Sequence, residues 1–146
     1  MIVFDHYIKG IIMKKLLTIC ATIVLSGIWM SANAGDIGDL RTKLSAARDS
    51  LVTMMVHKEQ RGPDQQKLVK DTADAVSAQL AKMKAPAGKE AQFKELVETW
   101  KAFKETREKE VVPALLKGND DEAKKIVGGI QKERITKCQT LTSELE

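Results

Sequence analysis

The stretch that decides the fold covers residues 97–144 and reads VETWKAFKETREKEVVPALLKGNDDEAKKIVGGIQKERITKCQTLTSE. Apolar residues recur in it three or four positions apart, the spacing that places them along one face of an α-helix. Gly118-Asn119-Asp120 interrupts the pattern near its middle. Glycine and asparagine are typical of a helix end, because both tolerate positive φ. The stretch therefore predicts two long helices joined by a tight turn, which must bury their apolar faces against further helices.

Two further helices are predicted upstream, over residues 36–59 and 64–83. Gly62-Pro63 separates them, and residues 85–88 (Ala-Pro-Ala-Gly) separate the second from the third. Because such short connections join antiparallel neighbours, and no strand-like alternation occurs, we expect an all-α, antiparallel up-down-up-down four-helix bundle over residues 35–146. The predicted core residues of these two helices are Ile37, Leu40, Leu44, Ala47, Leu51 and Met54, then Val69, Ala73, Val76, Leu80 and Met83.

The third helix is predicted over residues 89–117 and the fourth from Asp120 onward, with Asn119 or Asp120 as its cap. A proline inside the third helix, Pro113, predicts a kink on its N-terminal side. Gly128-Gly129 should each cost about 1 kcal/mol relative to alanine, and a close approach by Trp100 or Phe103 would explain them. The predicted core positions are Phe93, Leu96, Trp100, Phe103, Arg107, Glu110 and Ala114, then Ala123, Val127, Ile130, Arg134, Cys138 or Lys137, and Leu141.

The first 34 residues contain the pattern of a secretory signal peptide. Met13-Lys14-Lys15 precedes an apolar run over residues 16–30, and small residues follow at Ala32 and Ala34. We expect translation to start at Met13, a signal-peptide helix to be cleaved between Ala34 and Gly35, and the protein to reach the periplasm in soluble form, with no membrane association after cleavage. An uncleaved membrane anchor is the weaker alternative, because the run is slightly short for a membrane span of about 20 residues.

Charge and cysteine content limit the partners of the remaining 112 residues. Their net charge is +2, from 21 basic and 19 acidic residues, against +4 for the whole chain. Lysine and glutamate alternate along the helices, which is typical of solvated faces and argues against nucleic-acid binding. Cys138 is the one cysteine after cleavage, so no intramolecular disulfide is expected. It is expected to be a small buried residue, and a dimer-forming disulfide is the alternative.

The sequence predicts no enzyme, no catalytic residue, no metal site and no cofactor. It contains no glycine-rich phosphate loop, no HExxH and no CxxCH. Di-iron bundles need repeated Glu-x-x-His pairs, whereas residues 35–146 contain one histidine, His57, at a position expected on the surface. The paired carboxylates of the third and fourth helices are expected at the helix surface and cap.

Two arginines, Arg107 and Arg134, fall where the helical spacing calls for apolar residues. A buried arginine must be paired or solvated, because an unpaired buried charge is expensive. One interpretation is structural: each binds a nearby glutamate (Glu110, Glu133), or buries only its stem and reaches solvent. The other is a pocket for a small carboxylate-like anion, formed by Arg107 and Arg134 with Trp100, because a guanidinium matches a carboxylate geometrically.

Several short motifs resemble the periplasmic ligand-binding domain of methyl-accepting chemotaxis transducers. They are W-K-A-F-x-x-x-R at residues 100–107, V-x-P-A-L-x-x-G-N-D-x-x-E-A-K at 111–124 as an approximate match, G-I-Q-K-E-R at 129–134 and L-x-x-E-L at 141–145. This resemblance implies a four-helix sensor bundle that binds small molecules and pairs with a second copy. Transducers continue into a membrane span and a signalling rod, whereas this sequence stops at Glu146, so we expect a soluble, stand-alone sensor-like bundle.

Two alternatives to the sensor interpretation stay open. The size and export signal are also similar to those of small periplasmic b-type cytochromes, whose haem ligands are a methionine and a histidine. The corresponding positions here hold Arg41 and Cys138, so this resemblance implies a bundle that has lost its haem. A chaperone-like interaction protein, with an apolar groove or a dimer face, is the other alternative. Homodimerisation through helix faces, the first helix above all, is expected from the sensor resemblance.

Cleavage of the signal peptide gives a mature protein that begins at Gly35. N-terminal sequencing and intact mass of the exported protein measure this directly. A mature chain that keeps residues upstream of Gly35 would contradict the predicted cleavage site, and retention in the membrane fraction would favour the anchor.

Overall fold

The computed structural model describes residues 35–146. This part of the chain is helical and contains no strand, which confirms the all-α prediction with its four helices. None of its helices has the length and apolar character that a membrane span needs. The predicted signal peptide and Ala34 lie outside the described residues.

The four helices are numbered α1 to α4 along the chain. Helix α1 covers residues 35–56, a 3-10 turn follows at Lys58–Gln60, and α2 is Pro63–Lys82. Helix α3 consists of Glu90–Thr106, a π-helical turn at Arg107–Val111, and Val112–Leu116. Helix α4 has the same construction, with Asp120–Ile126, a π-helical turn at Val127–Gln131, and Lys132–Glu144.

The turn between α3 and α4 forms as its glycine predicts. Gly118 has φ +79°, and its N–H donates to Leu115 O at 3.2 Å while the N–H of Asn119 donates to Ala114 O at 2.8 Å. These two bonds form a Schellman motif, which satisfies carbonyls that the helix end leaves free. Asn119 is the cap residue of α4, although its side chain bonds no helical N–H.

Every predicted core residue of α1 and α2 is buried. The spacing in these two helices is uninterrupted, so a simple three-four stepping places each apolar side chain correctly. Leu40, Ala47 and Met54 of α1 have no exposed surface at all. The two N-terminal helices are therefore regular amphipathic helices.

In α3 the π-helical turn shifts the buried face by one residue. The N–H of Val112 donates to Arg107 O, five residues back instead of four, so the turn contains one extra residue. The prediction that Glu110 faces the core is wrong: Glu110 is exposed and Val111 is fully buried. This wide turn lies immediately before Pro113, where the sequence predicts a kink and where the proline supplies no N–H.

The same shift occurs in α4. Its π-helical turn includes a bond from Lys132 N–H to Val127 O, again five residues back. Ile130, predicted in the core, is 42% exposed, and Gln131 is buried instead, at 2% exposure. Downstream, Ile135 is buried while the predicted core residue Arg134 is half-buried.

The expected close approach of a neighbouring side chain to Gly128 and Gly129 is wrong. A Cβ built at either glycine meets no atom within 4 Å. The two glycines lie instead inside the π-helical turn, and Gly129 departs from helical dihedrals with φ −98° and ψ −112°. The two glycines therefore coincide with the irregular part of the α4 backbone and not with a close contact between helices.

One arginine that the sequence did not single out, Arg61, fixes the connection between α1 and α2. Its Nε donates to Met54 O and its Nη1 to Leu115 O, each at 2.9 Å. Its Nη2 lies 2.6 Å from Asp120 Oδ1 in an ion pair. Lys58 also pairs with Asp120, and Lys58 and Arg61 together lower the pKa of that carboxyl. Arg61 thus ties the ends of α1 and α3 to the start of α4.

Alanine substitutions at two glycines should change stability in opposite directions. Gly118→Ala should lower the free energy of unfolding by about 1–2 kcal/mol, because an L-residue is disfavoured at positive φ. Gly128→Ala should raise it by about 0.5–1 kcal/mol, because alanine favours the helix and the added Cβ meets open space. Urea unfolding of the purified proteins measures both changes. A stabilised Gly118→Ala protein would contradict the Schellman turn between α3 and α4.

Candidate functional site

A layer of polar side chains divides the buried interior into two apolar clusters. Ser50, Thr72, Thr106, Arg107 and Gln131 form this polar layer, and all except the partly buried Thr72 are buried. Every helix contributes to the polar layer. On each helix, the polar residue lies between the residues that belong to one apolar cluster and those that belong to the other. One cluster includes Leu40, Leu44, Ala47, Ala73, Val76, Leu96, Trp100, Phe103, Ile135 and Cys138, and the other Leu51, Met54, Val69, Val111, Ala114, Leu115 and Ala123.

Arg107 is the centre of the polar layer and is completely buried. Its Nη1 donates to Ala47 O at 2.5 Å, and its Nη2 donates to Ser50 Oγ at 3.0 Å and to Val69 O at 2.7 Å. Its Nε has no partner in the described structure. Burial lowers the pKa of Arg107 to about 10, opposed by the charge of Glu108. The guanidinium therefore stays protonated at neutral pH and binds neutral acceptors.

The acceptors of Arg107 are held in place by their own hydrogen bonds. Ser50 Oγ lies 2.8 Å from Thr72 Oγ1 and also donates to Ala47 O at 3.0 Å. Gln65 Nε2 donates to Ser50 O at 2.6 Å. These hydrogen bonds join α1 to α2 without the participation of Arg107, which belongs to α3.

The two arginines that the sequence singled out have different surroundings and share no partner. Arg134 Nη1 donates to Ala102 O at 3.1 Å and to Thr106 Oγ1 at 2.5 Å. The predicted bonds to Glu110 and Glu133 are wrong, since both arginines bind backbone carbonyls and hydroxyls of neighbouring helices. The guanidinium groups of both arginines therefore donate their hydrogen bonds to other residues of the protein.

Trp100, the third predicted site residue, is a core residue at 2% exposure. Its Nε1 donates to Ser77 Oγ at 3.0 Å, and its ring lies 5.3 Å from that of Phe103, centroid to centroid. No hydrogen bond joins Trp100 to Arg107 or Arg134 within the described residues. The structure thus places the three side chains in the same region of α3 and α4 without converging them on one point.

A pocket of about 290 Å³, the α1–α4 pocket, lies between α1 and α4. Its wall is mainly apolar, and the π-helical turn of α4 supplies part of it. Neither Arg107, Arg134 nor Trp100 lines it. The lining residues are Arg48, Leu51, Val52, Met55, Phe103, Val127, Gly128, Gln131, Lys132 and Ile135.

Gln131 connects the polar layer to the α1–α4 pocket. Its Nε2 donates to Phe103 O at 3.0 Å, which fixes the orientation of the amide because a carbonyl can only accept. Its Oε1 is buried and has no partner among the described atoms. The helical spacing of the sequence does not identify Gln131 as a core residue, since only the extra residue of the π-helical turn brings it into the core. The glycine pair was the one sequence signal at this place.

The remaining candidate residues lie apart from this pocket. His57 is exposed and lies 3.2 Å from Glu59, as expected of a surface histidine. Arg41 is exposed and pairs with Glu146 at 2.6 Å. Cys138 is fully buried, and burial raises the pKa of its thiol to about 12. A thiolate therefore scarcely forms at neutral pH, which disfavours disulfide chemistry. Residues 35–146 hold no cluster of side chains suited to a metal ion.

Comparisons with protein-family models, with curated proteins and with solved structures found no match for this chain. The polar layer and the α1–α4 pocket are therefore the features of the described residues that bear on function.

Removal of Arg107 should show how much the core depends on it. Arg107→Ala should lower the free energy of unfolding by about 3 kcal/mol, because it leaves a cavity and removes three hydrogen bonds. Arg107→Met should cost less, since it fills the space without burying a charge, and helical carbonyls keep their backbone donors. Urea unfolding measures both.

Arg134→Ala is the matched control, because Arg134 is only half-buried. It should cost about 1 kcal/mol or less. Equal losses for Arg107→Ala and Arg134→Ala would contradict the central place of Arg107.

Proposed function

We propose that this chain is an exported, non-enzymatic four-helix-bundle protein that binds a small, largely apolar molecule in the α1–α4 pocket. The observation that carries the proposal is the pocket itself: about 290 Å³, with a mainly apolar wall. Small-molecule sites are concave and apolar with a few polar groups, and the space between helices is a common place for them. The π-helical turn in the wall supports the same conclusion, because such turns are frequent at functional sites.

The proposed architecture is the antiparallel up-down-up-down bundle. Contacts between successive helices support it, because each joins a residue near the start of one helix to a residue in the later part of its neighbour. Gln79 of α2 reaches Asp36 O of α1 at 3.3 Å, while Gln65 reaches Ser50 O. Lys137 of α4 lies 2.5 Å from Glu95 of α3, near the start of that helix.

The α2–α3 pairing follows the same order. Lys104 Nζ lies 2.5 Å from Asp74 Oδ1, and Trp100 donates to Ser77, so residue numbers rise along α2 as they fall along α3. These contacts are the ones that an antiparallel arrangement requires.

The proposed location and role rest on the sequence. The charged start, apolar run and small residues before Gly35 favour export, and the absence of catalytic motifs favours binding over catalysis. A sensor-like role agrees with the resemblance to chemotaxis transducers, in which a periplasmic bundle binds a small molecule. Such domains pair, and Val56 on α1, which is 67% exposed, supports the proposal of a dimer face there.

A bulky side chain at Gly128 should abolish binding of an apolar probe. Gly128 lines the α1–α4 pocket, and a Cβ there meets no neighbouring atom, so the side chain of Gly128→Leu should occupy part of the pocket. The neutral dye N-phenyl-1-naphthylamine becomes fluorescent in apolar sites. We expect it to bind the wild-type protein, and to bind Gly128→Leu at least about tenfold more weakly.

Gly38→Leu is the matched control. Gly38 is also a helical glycine with open space around its Cβ, and it does not line the pocket. Its leucine variant should bind the dye as the wild-type protein does. Equal dye binding by all three proteins, or none by the wild type, would refute the proposed site.

A further inference from the structure

The rim of the α1–α4 pocket contains two exposed cations. Arg48 belongs to α1 and Lys132 to α4, the two helices that form the pocket, and both residues line it. No carboxylate is among the lining residues. The rim therefore has an excess of positive charge beside an apolar wall.

These two cations are not neutralised by their own helices. Along a helix, residues three and four positions apart are the neighbours that can form ion pairs. For Arg48 these positions hold Leu44, Ser45, Leu51 and Val52, and for Lys132 they hold Gly128, Gly129, Ile135 and Thr136. Other cations of residues 35–146 form ion pairs with carboxylates. Within these residues, no ion pair is observed for Arg48 or Lys132.

A second apolar depression shows the contrast. It lies near Trp100 and includes Lys101 and Lys104. Lys101 has a glutamate three positions before it and another four positions after it on the helix. Lys104 is 2.5 Å from Asp74 and 3.7 Å from Glu108. Both lysines thus have carboxylate neighbours. Of these two sites in residues 35–146, the α1–α4 pocket is the one that combines an apolar wall with cations that have no carboxylate at the neighbouring positions of their helices.

The size and lining of the pocket define the other half of the ligand. A cavity of about 150 Å³ holds benzene in another protein, so about 290 Å³ accommodates a ring with a substituent or a short alkyl chain. Leu51, Met55 and Ile135 supply hydrocarbon wall for such a tail. A fully polar anion would leave this wall without a partner.

We infer that the α1–α4 pocket takes an amphipathic anion, with its charged head between Arg48 and Lys132 and its apolar tail in the pocket. This inference rests on the proposed function and adds the chemical class and orientation of the ligand. A guanidinium and an ammonium bind a carboxylate or similar head group at the rim, where the head keeps contact with water. The anion that the sequence suggested for Arg107 and Arg134 is thereby assigned to a different pair of cations.

Octanoate and 1-octanol test this inference, because they share a chain and differ in charge. Isothermal titration calorimetry should show octanoate binding to the wild-type protein, weakening as ionic strength rises from about 0.02 M to about 0.2 M. The double variant Arg48→Gln/Lys132→Gln should bind octanoate about tenfold more weakly. The affinity for 1-octanol should be the same in both proteins.

The matched control is Lys82→Gln/Lys84→Gln, which removes two exposed cations outside the pocket. It should bind octanoate as the wild-type protein does, which would support the assignment to Arg48 and Lys132. If both double variants lose octanoate affinity equally, or neither loses any, the orientation is overturned. Binding of 1-octanol alone overturns the anionic class and leaves the proposed function standing. If neither compound and no apolar dye binds, the proposed function fails too.

Discussion

The buried guanidinium of Arg107 is the constraint on which the rest of the structure depends. A charge without exposed surface must receive hydrogen-bond partners from the protein, because its desolvation is expensive. Two backbone carbonyls and one hydroxyl supply them, from α1 and α2. Arg107 itself belongs to α3, so three helices must hold one relative position for its charge to be tolerated. Apolar packing alone would allow the helices to slide along one another, whereas the hydrogen bonds of Arg107 fix the register of the helices.

The fourth helix is held to the third by the same kind of contact. Gln131 and Arg134 donate to the carbonyls of Phe103 and Ala102. The middle of the molecule is thus stabilised by side chains that bind backbone oxygens of a neighbouring helix. Such bonds are directional, so they specify the packing in a way that the apolar clusters on either side do not.

Both irregular turns lie at the level of this polar layer. Arg107 begins the π-helical turn of α3, and Gln131 ends that of α4. The turn in α4 also contributes Val127, Gly128 and Gln131 to the wall of the pocket. One local feature of the backbone therefore has two effects: it turns a polar residue into the core, and it leaves open space beside α1. The π-helical turn of α4 therefore contributes both to the polar layer and to the proposed binding site.

The sequence by itself determined the helices, their connections and the core of α1 and α2, because uninterrupted three-four spacing depends only on the geometry of a regular helix. It also identified Arg107, Pro113 and the glycine pair as irregular places. It could not determine which residues face inward beyond them. One extra residue per π-helical turn replaces Glu110 by Val111 and Ile130 by Gln131 in the core, and periodicity at 3.6 residues contains no sign of that insertion. The tertiary structure alone decided the partners of Arg107 and the residues of the pocket, since both depend on atoms that are distant in sequence and meet only when the helices pack.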